Sequence, residues 1–139
     1  MRVMDMKAPI KVYMTKKLLG VKPSTSVQEA SRLMMEFDVG SLVVINDDGN
    51  VVGFFTKSDI IRRVIVPGLP YDIPVERIMT RNLITANVNT PLGEVLRKMA
   101  EHRIKHILIE EEGKIVGIFT LSDLLEASRR RLETAISAE

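Results

Sequence analysis

Gly53-Phe54-Phe55-Thr56-Lys57-Ser58-Asp59 returns 64 residues later as Gly117-Ile118-Phe119-Thr120-Leu121-Ser122-Asp123. Each copy opens with a β-rich run and closes on hydroxyls and a carboxylate, the composition of a strand that runs into a helix N-terminus. Upstream, Met14-Thr15 reappears as Met79-Thr80 at an offset of 65, one residue being lost where Asn46-Asp47-Asp48-Gly49 shortens to Glu111-Glu112-Gly113. With residues 14–45 set against 79–110, and 49–63 against 113–127, 15 of 47 positions are identical. Chance gives about three for typical composition. The period exceeds the roughly 20 to 50 residues of solenoid units, so each copy reads as a half-domain.

Both copies follow one plan. A short extended stretch (Leu18-Leu19 or Leu83-Ile84) leads to a helix. Its start is signalled by Thr25 with Gln28 three residues on, or by Thr90 with Pro91 at the first helical position. Val27, Ala30, Met34 and Phe37 fall at i, i+3, i+7 and i+10, and Leu92, Val95 and Met99 repeat the spacing. One apolar stripe is expected, with Met34 and Met99 in the core rather than serving as metal or cofactor ligands. Leu42 to Ile45 and Val51 to Phe55 around Asp48-Gly49 read as a hairpin, as do Ile107 to Ile109 and Ile115 to Phe119 around Gly113. A second helix follows from Asp59 or Asp123. Val66 to Arg77, with Pro67, Gly68, Pro70 and Pro74, reads as a stiff connector. The expected organisation is a first repeat over 8–66, a linker over 67–77, a second repeat over 78–132 and a tail over 133–139, in an α+β fold (an α/β sandwich).

Composition bounds the function classes. The chain has 139 residues and 15.6 kDa, 45% hydrophobic and 27% charged, which suits a globular protein with room for one ordinary domain or two small halves. No apolar run of about 18 residues is present to span a bilayer, and the first residues, with Arg2, Asp5 and Lys7, do not resemble a secretory signal. No cysteine is available for a disulfide or a thiolate metal site. A cytoplasmic location without a membrane partner is expected. The balance of 20 Lys+Arg against 18 Asp+Glu leaves +2, too little to imply nucleic acid without a local cluster. The one such cluster is Arg129-Arg130-Arg131, with Glu126 and Glu133 nearby.

The repeated turn has two chemical readings. Thr, Ser and Asp at a helix start accept from orphan backbone amides and favour the positive end of the helix dipole. The same amides and hydroxyls can receive a phosphate, while a carboxylate accepts from two ribose hydroxyls. A carboxylate repels phosphate, so Asp would serve the sugar and the hydroxyls the phosphate.

The order of an extended segment ending in Met-Thr, a helix, a hairpin and then Gly-h-h-Thr-x-Ser-Asp (h, hydrophobic), written twice over residues 12–127, resembles a tandem pair of CBS domains, a Bateman module. The resemblance implies two β-α-β-β-α repeats packed with pseudo-twofold symmetry. It also implies two clefts for adenosine-containing ligands such as AMP, ADP, ATP or S-adenosylmethionine, with no cofactor required. One cleft would combine Ile118, Thr120, Ser122 and Asp123 with Gly20, Val21, Val39 and Gly40, His106 facing the phosphate. The other would combine Phe54, Thr56, Ser58 and Asp59 with Thr85, Ala86, Ile104 and Lys105, with Ser41 at the phosphate end. Thr85 keeps a threonine that the family often carries there and Gly20 does not. His106 makes the first phosphate end the more cationic and pH-dependent, while Lys57 is either a solvated lysine or a cation that turns inward at the second.

No enzyme is expected. There is no Cys nucleophile, the two histidines, His102 and His106, lack the Glu of a metalloprotease signature, and no P-loop or dinucleotide fingerprint occurs. The leading reading is a regulatory module that binds an adenine nucleotide or S-adenosylmethionine and signals to an effector protein whose identity is not evident from sequence. A homodimer is expected through apolar residues after Asp59 (Ile60, Ile61, Val64) and Asp123 (Leu124, Leu125). The alternatives are nucleic-acid binding through Arg129 to Arg131 and Lys105, or a purely structural, oligomerising role.

Overall fold

The computed structural model describes residues 4–126, 128 and 129. They form an α+β fold in two compact units, one of residues 18–83 and one of the residues up to 17 together with those from 84 onward. No described helix is long and apolar enough to cross a membrane.

The 18–83 unit holds strands β1 (Gly20–Val21), β2 (Ser41–Ile45) and β3 (Val51–Thr56), with helix α1 (Val27–Phe37) between the first two. The order is β1-β2-β3, β1 parallel and β3 antiparallel to β2. Helix α2 (Lys57–Ile60) follows β3 directly and widens into a π-helical turn, Ile61–Ile65. Val27, Ala30 and Met34 of α1 pack with Leu42, Val44 and Phe55 of the sheet, as the periodicity predicts. Phe37, at the stripe's edge and the last residue of the helix, is 41% exposed instead. Val64 is fully buried, turned inward with Ile60, so the exposed apolar residues of this stretch are Ile61, Ile65, Val66, Leu69 and Tyr71. The expected surface of Ile60, Ile61 and Val64 is corrected accordingly.

The other unit repeats the design with β4 (Thr85–Asn87), α3 (Leu92–His102), β5 (His106–Glu111) and β6 (Lys114–Thr120), in sheet order β4-β5-β6. Helix α4 covers residues 121–126. Both hairpins carry a register shift at the same repeat position, Val44/Ile45 and Ile109/Glu110. Here Leu125 is 71% exposed, while Leu124 is half-buried against the core.

Helix starts differ from expectation by one residue. Ser26 caps α1, its hydroxyl accepting from Glu29 N at 3.0 Å, because the Thr25 carbonyl accepts from Val75 N at 2.8 Å and holds Thr25 outside the helix. Pro91 flanks α3, which begins at Leu92, and the Thr90 carbonyl accepts from Ile10 N at 2.8 Å.

These bonds reveal a longer repeat. Carbonyls of Ile73 and Tyr71 accept from the first amides of α1, Val27 at 2.9 Å and Gln28 at 2.8 Å. Carbonyls of Ala8 and Met6 serve Leu92 and Gly93 of α3 in the same way, both at 2.9 Å. Residues 6–15 and 71–80 are thus equivalent caps, each carrying a single 3-10 turn (Ile10–Val12, Val75–Arg77). Ile10 and Val75 are both fully buried. The stretch 67–77 therefore contributes core, beyond connecting the repeats. The segment written ahead of each copy completes the unit that holds the other copy's hairpin.

Candidate functional site

Both copies of the repeated stretch run from the last strand of a sheet into a helix. Thr56, with extended backbone, precedes α2. Its hydroxyl accepts from the Asp59 amide at 3.2 Å, while Asp59 Oδ2 accepts from the Thr56 amide at 2.9 Å and the Thr56 hydroxyl at 3.2 Å. In the other unit the Asp123 amide donates to Thr120 Oγ1 at 3.2 Å and the Thr120 amide to Asp123 Oδ2 at 2.8 Å. Each is the reciprocal arrangement of a capping box, so the two helices start at Lys57 and Leu121, ahead of the aspartates. The next amide of each turn is also used: Lys57 N donates to Gly40 O at 3.0 Å and Leu121 N to Lys105 O at 3.2 Å. The helix-capping reading holds in both copies. It leaves each carboxylate its Oδ1, together with the hydroxyls of the exposed Ser58 and Ser122.

The two carboxylates then diverge. Asp59 Oδ1 accepts from Arg62 Nη2 at 2.6 Å, with Arg63 Nη2 at 3.8 Å, and the Asp59 side chain is only 8% exposed. Asp123 is half-buried, and among the described residues no cation pairs with it.

Across the hairpins, Ser41 pairs with Thr56 and His106 with Thr120. Each residue assigned to a phosphate end thus stands beside the hydroxyl turn of its own repeat. Gly20 and Val21 pair with Val43 and Val44 in the 18–83 unit, where Val39 and Gly40 lead into β2. Thr85 and Ala86 lie opposite Leu108 and Ile109 in the other unit, where Ile104 and Lys105 lead into β5. The Val39 and Ile104 amides are spent on the carbonyls of Met34 and Met99, at 3.0 Å each. A Cβ at Gly20 would meet the Ile45 side chain; Thr85 has Glu110 at the position matching Ile45. The Thr85 carbonyl accepts from Lys98 Nζ at 2.6 Å. It borders a cavity of about 510 Å³ against α3, lined by groups of both signs, Arg97, Lys98 and His102 with Glu94, Glu101 and Glu110.

Backbone groups of Phe54 and Ile118 are paired within their units. Phe54 exchanges bonds with Thr80 at 3.0 and 2.7 Å, and Ile118 with Thr15 at 2.9 Å in both directions. The recurring Met-Thr is therefore a strand-like contact laid across the repeated Gly-h-h stretch, a role that spacing alone does not reveal. Of the arginine cluster, Arg129 pairs with Glu126 at 3.6 Å; Arg130, Arg131 and Glu133 lie outside the described residues.

The CBS domain family model matches residues 10–66 and 75–130. The CBS domain-containing protein YhcV of Bacillus subtilis is 33% identical over 115 residues, 83% of this chain and 81% of its own. The crystal structure of the CBS-domain protein ATU1752 from Agrobacterium tumefaciens superposes with a TM-score of 0.80 at 27% identity, covering 88% of this chain and 94% of that one. The CBS domain pair of MJ0100, solved in complex with 5′-methylthioadenosine and S-adenosyl-L-methionine, gives 0.75 at 26% identity, covering 85% and 97%.

Proposed function

The chain belongs to the CBS-domain family, and from that premise we propose that it is a regulatory module that binds an adenosine-containing ligand, AMP, ADP, ATP or S-adenosylmethionine. The observation that carries this reading is the Thr-x-Ser-Asp turn, where the capping box uses one carboxylate oxygen and leaves Asp123 Oδ1 and the Ser122 hydroxyl unengaged among the described residues. The free carboxylate edge suits a ribose diol, and the hydroxyls with His106 suit a phosphate or carboxylate. The ligands named for the MJ0100 pair support the same chemical class. Gly20, Val21, Val39, Gly40, Thr85, Ala86, Ile104 and Lys105 keep their assignment to the base side.

A regulatory module acts by favouring one arrangement over another, and the ligand shifts that balance by its difference in affinity for the two. The exposed Ile61, Ile65, Val66, Leu69 and Leu125 suit a second copy of the chain or an effector protein. Thermal unfolding in the presence of AMP, ADP, ATP, S-adenosylmethionine or a short oligonucleotide tests the reading. A ligand at 100 times its Kd adds about 2.7 kcal/mol. An upward shift with an adenosine compound is expected, and a response to the oligonucleotide alone would favour nucleic-acid binding instead.

A further inference from the structure

One turn, written twice, holds its carboxylate in two different electrical settings. Resting on the adenosine-binding reading above, we infer that the ribose is taken at Asp123 alone and that Arg62 plugs the corresponding turn at Asp59. Both oxygens of Asp59 are committed, Oδ2 to the Thr56 cap and Oδ1 to the Arg62 guanidinium at 2.6 Å. Arg63, 3.8 Å from the same oxygen, is anchored on its other side by donating to Ile78 O at 2.7 Å. A ribose diol entering here exchanges a charge-assisted bond for neutral ones and strips a buried carboxylate of its counter-charge.

Among the described residues no cation closes the second turn. In sequence, Glu126 and Ala127 stand where Arg62 and Arg63 do in the first copy, so the second copy carries an acid and an alanine in place of two cations. The hydroxyls differ in the same sense. Thr56 donates its proton to Asp59 at 3.2 Å, whereas among the described residues Thr120 only accepts from the Asp123 amide. Thr120 keeps a donor for an anionic ligand group.

Equilibrium dialysis of the full chain against radiolabelled AMP, ATP and S-adenosylmethionine tests this. Wild type is expected to take up one equivalent per chain. Asp123→Asn, which retains an acceptor for the Thr120 amide, is expected to weaken binding about tenfold or more, whereas Asp59→Asn still binds one equivalent. Glu126→Arg installs the plug at the open turn and is expected to weaken binding as Asp123→Asn does, with no cap removed. Arg62→Gln is expected to admit a second equivalent. Thermal melts establish that each variant is folded. Two equivalents in wild type, loss of binding in Asp59→Asn, or weaker binding in Arg62→Gln would overturn the inference while leaving the adenosine reading intact. Uptake of none of the three probes by wild type would overturn the adenosine reading itself.

Discussion

A Cβ placed on Gly117 would stand 2.8 Å from the Thr15 carbonyl oxygen and 2.9 Å from Met14 Sδ; on Gly53 it would fall on the Met79 side chain, with Cγ at 2.7 Å. Neither glycine has a positive φ, so both positions demand space and not conformational freedom. The two obstacles differ in kind. The Thr15 oxygen is backbone and is bonded to Ile118 N, so it retreats only by breaking that pair, whereas the Met79 side chain can move. Gly117→Ala is expected to cost about 1–3 kcal/mol in urea unfolding. In double-mutant cycles, Met79→Ala should recover part of the loss from Gly53→Ala, while Met14→Ala recovers less of the loss from Gly117→Ala. Equal recovery would mean that side-chain crowding alone dictates both glycines.

At the scale of elements, the helix starts are set by long-range bonds as much as by local signals. Ser26→Ala is expected to lower stability by about 1 kcal/mol and Thr25→Ala by distinctly less, since Thr25 acts through its carbonyl. The reverse order would restore Thr25 as the cap. Ile10, at the first residue of the family match, should behave as core: Ile10→Ala is expected to cost about 2–5 kcal/mol, and a loss below 1 kcal/mol would contradict its place among Leu92, Val95 and Phe119. The strands, the helix stripes and the Thr-x-Ser-Asp turns were legible because they are local patterns of period 2, period 3.6 and capping chemistry. Pro9-Ile10 and Pro74-Val75 also repeat at an offset of 65, yet their function as caps for α3 and α1 depends on partners 80 residues later or nearly 50 earlier, which no local pattern reports. The Arg62 contact with Asp59 was within reach, since residues three apart on a helix are neighbours. Its absence from the other copy is written in Glu126.

For the whole molecule, the unit in space and the repeat in sequence are offset from one another. A fragment of residues 18–83 carries Ile73, Val75, Ile78 and Met79 with the core they complete, while a fragment of residues 8–66 lacks all four. The first is expected to keep more helical ellipticity and a later urea midpoint than the second, although a half-domain of this size is marginal alone. A better folded 8–66 fragment would contradict the exchange of leading segments. Each leading segment that caps a helix also pairs, through Thr15 or Thr80, with the residue two positions ahead of a Thr-x-Ser-Asp turn. Recognition of an adenosine ligand at such a turn is open to amide chemical-shift mapping by NMR. Titration with AMP, ATP or S-adenosylmethionine is predicted to move the resonances of Thr120, Ser122, Asp123 and His106. Unmoved signals there, or shifts confined to the groove around Arg97, Lys98 and His102, would contradict it.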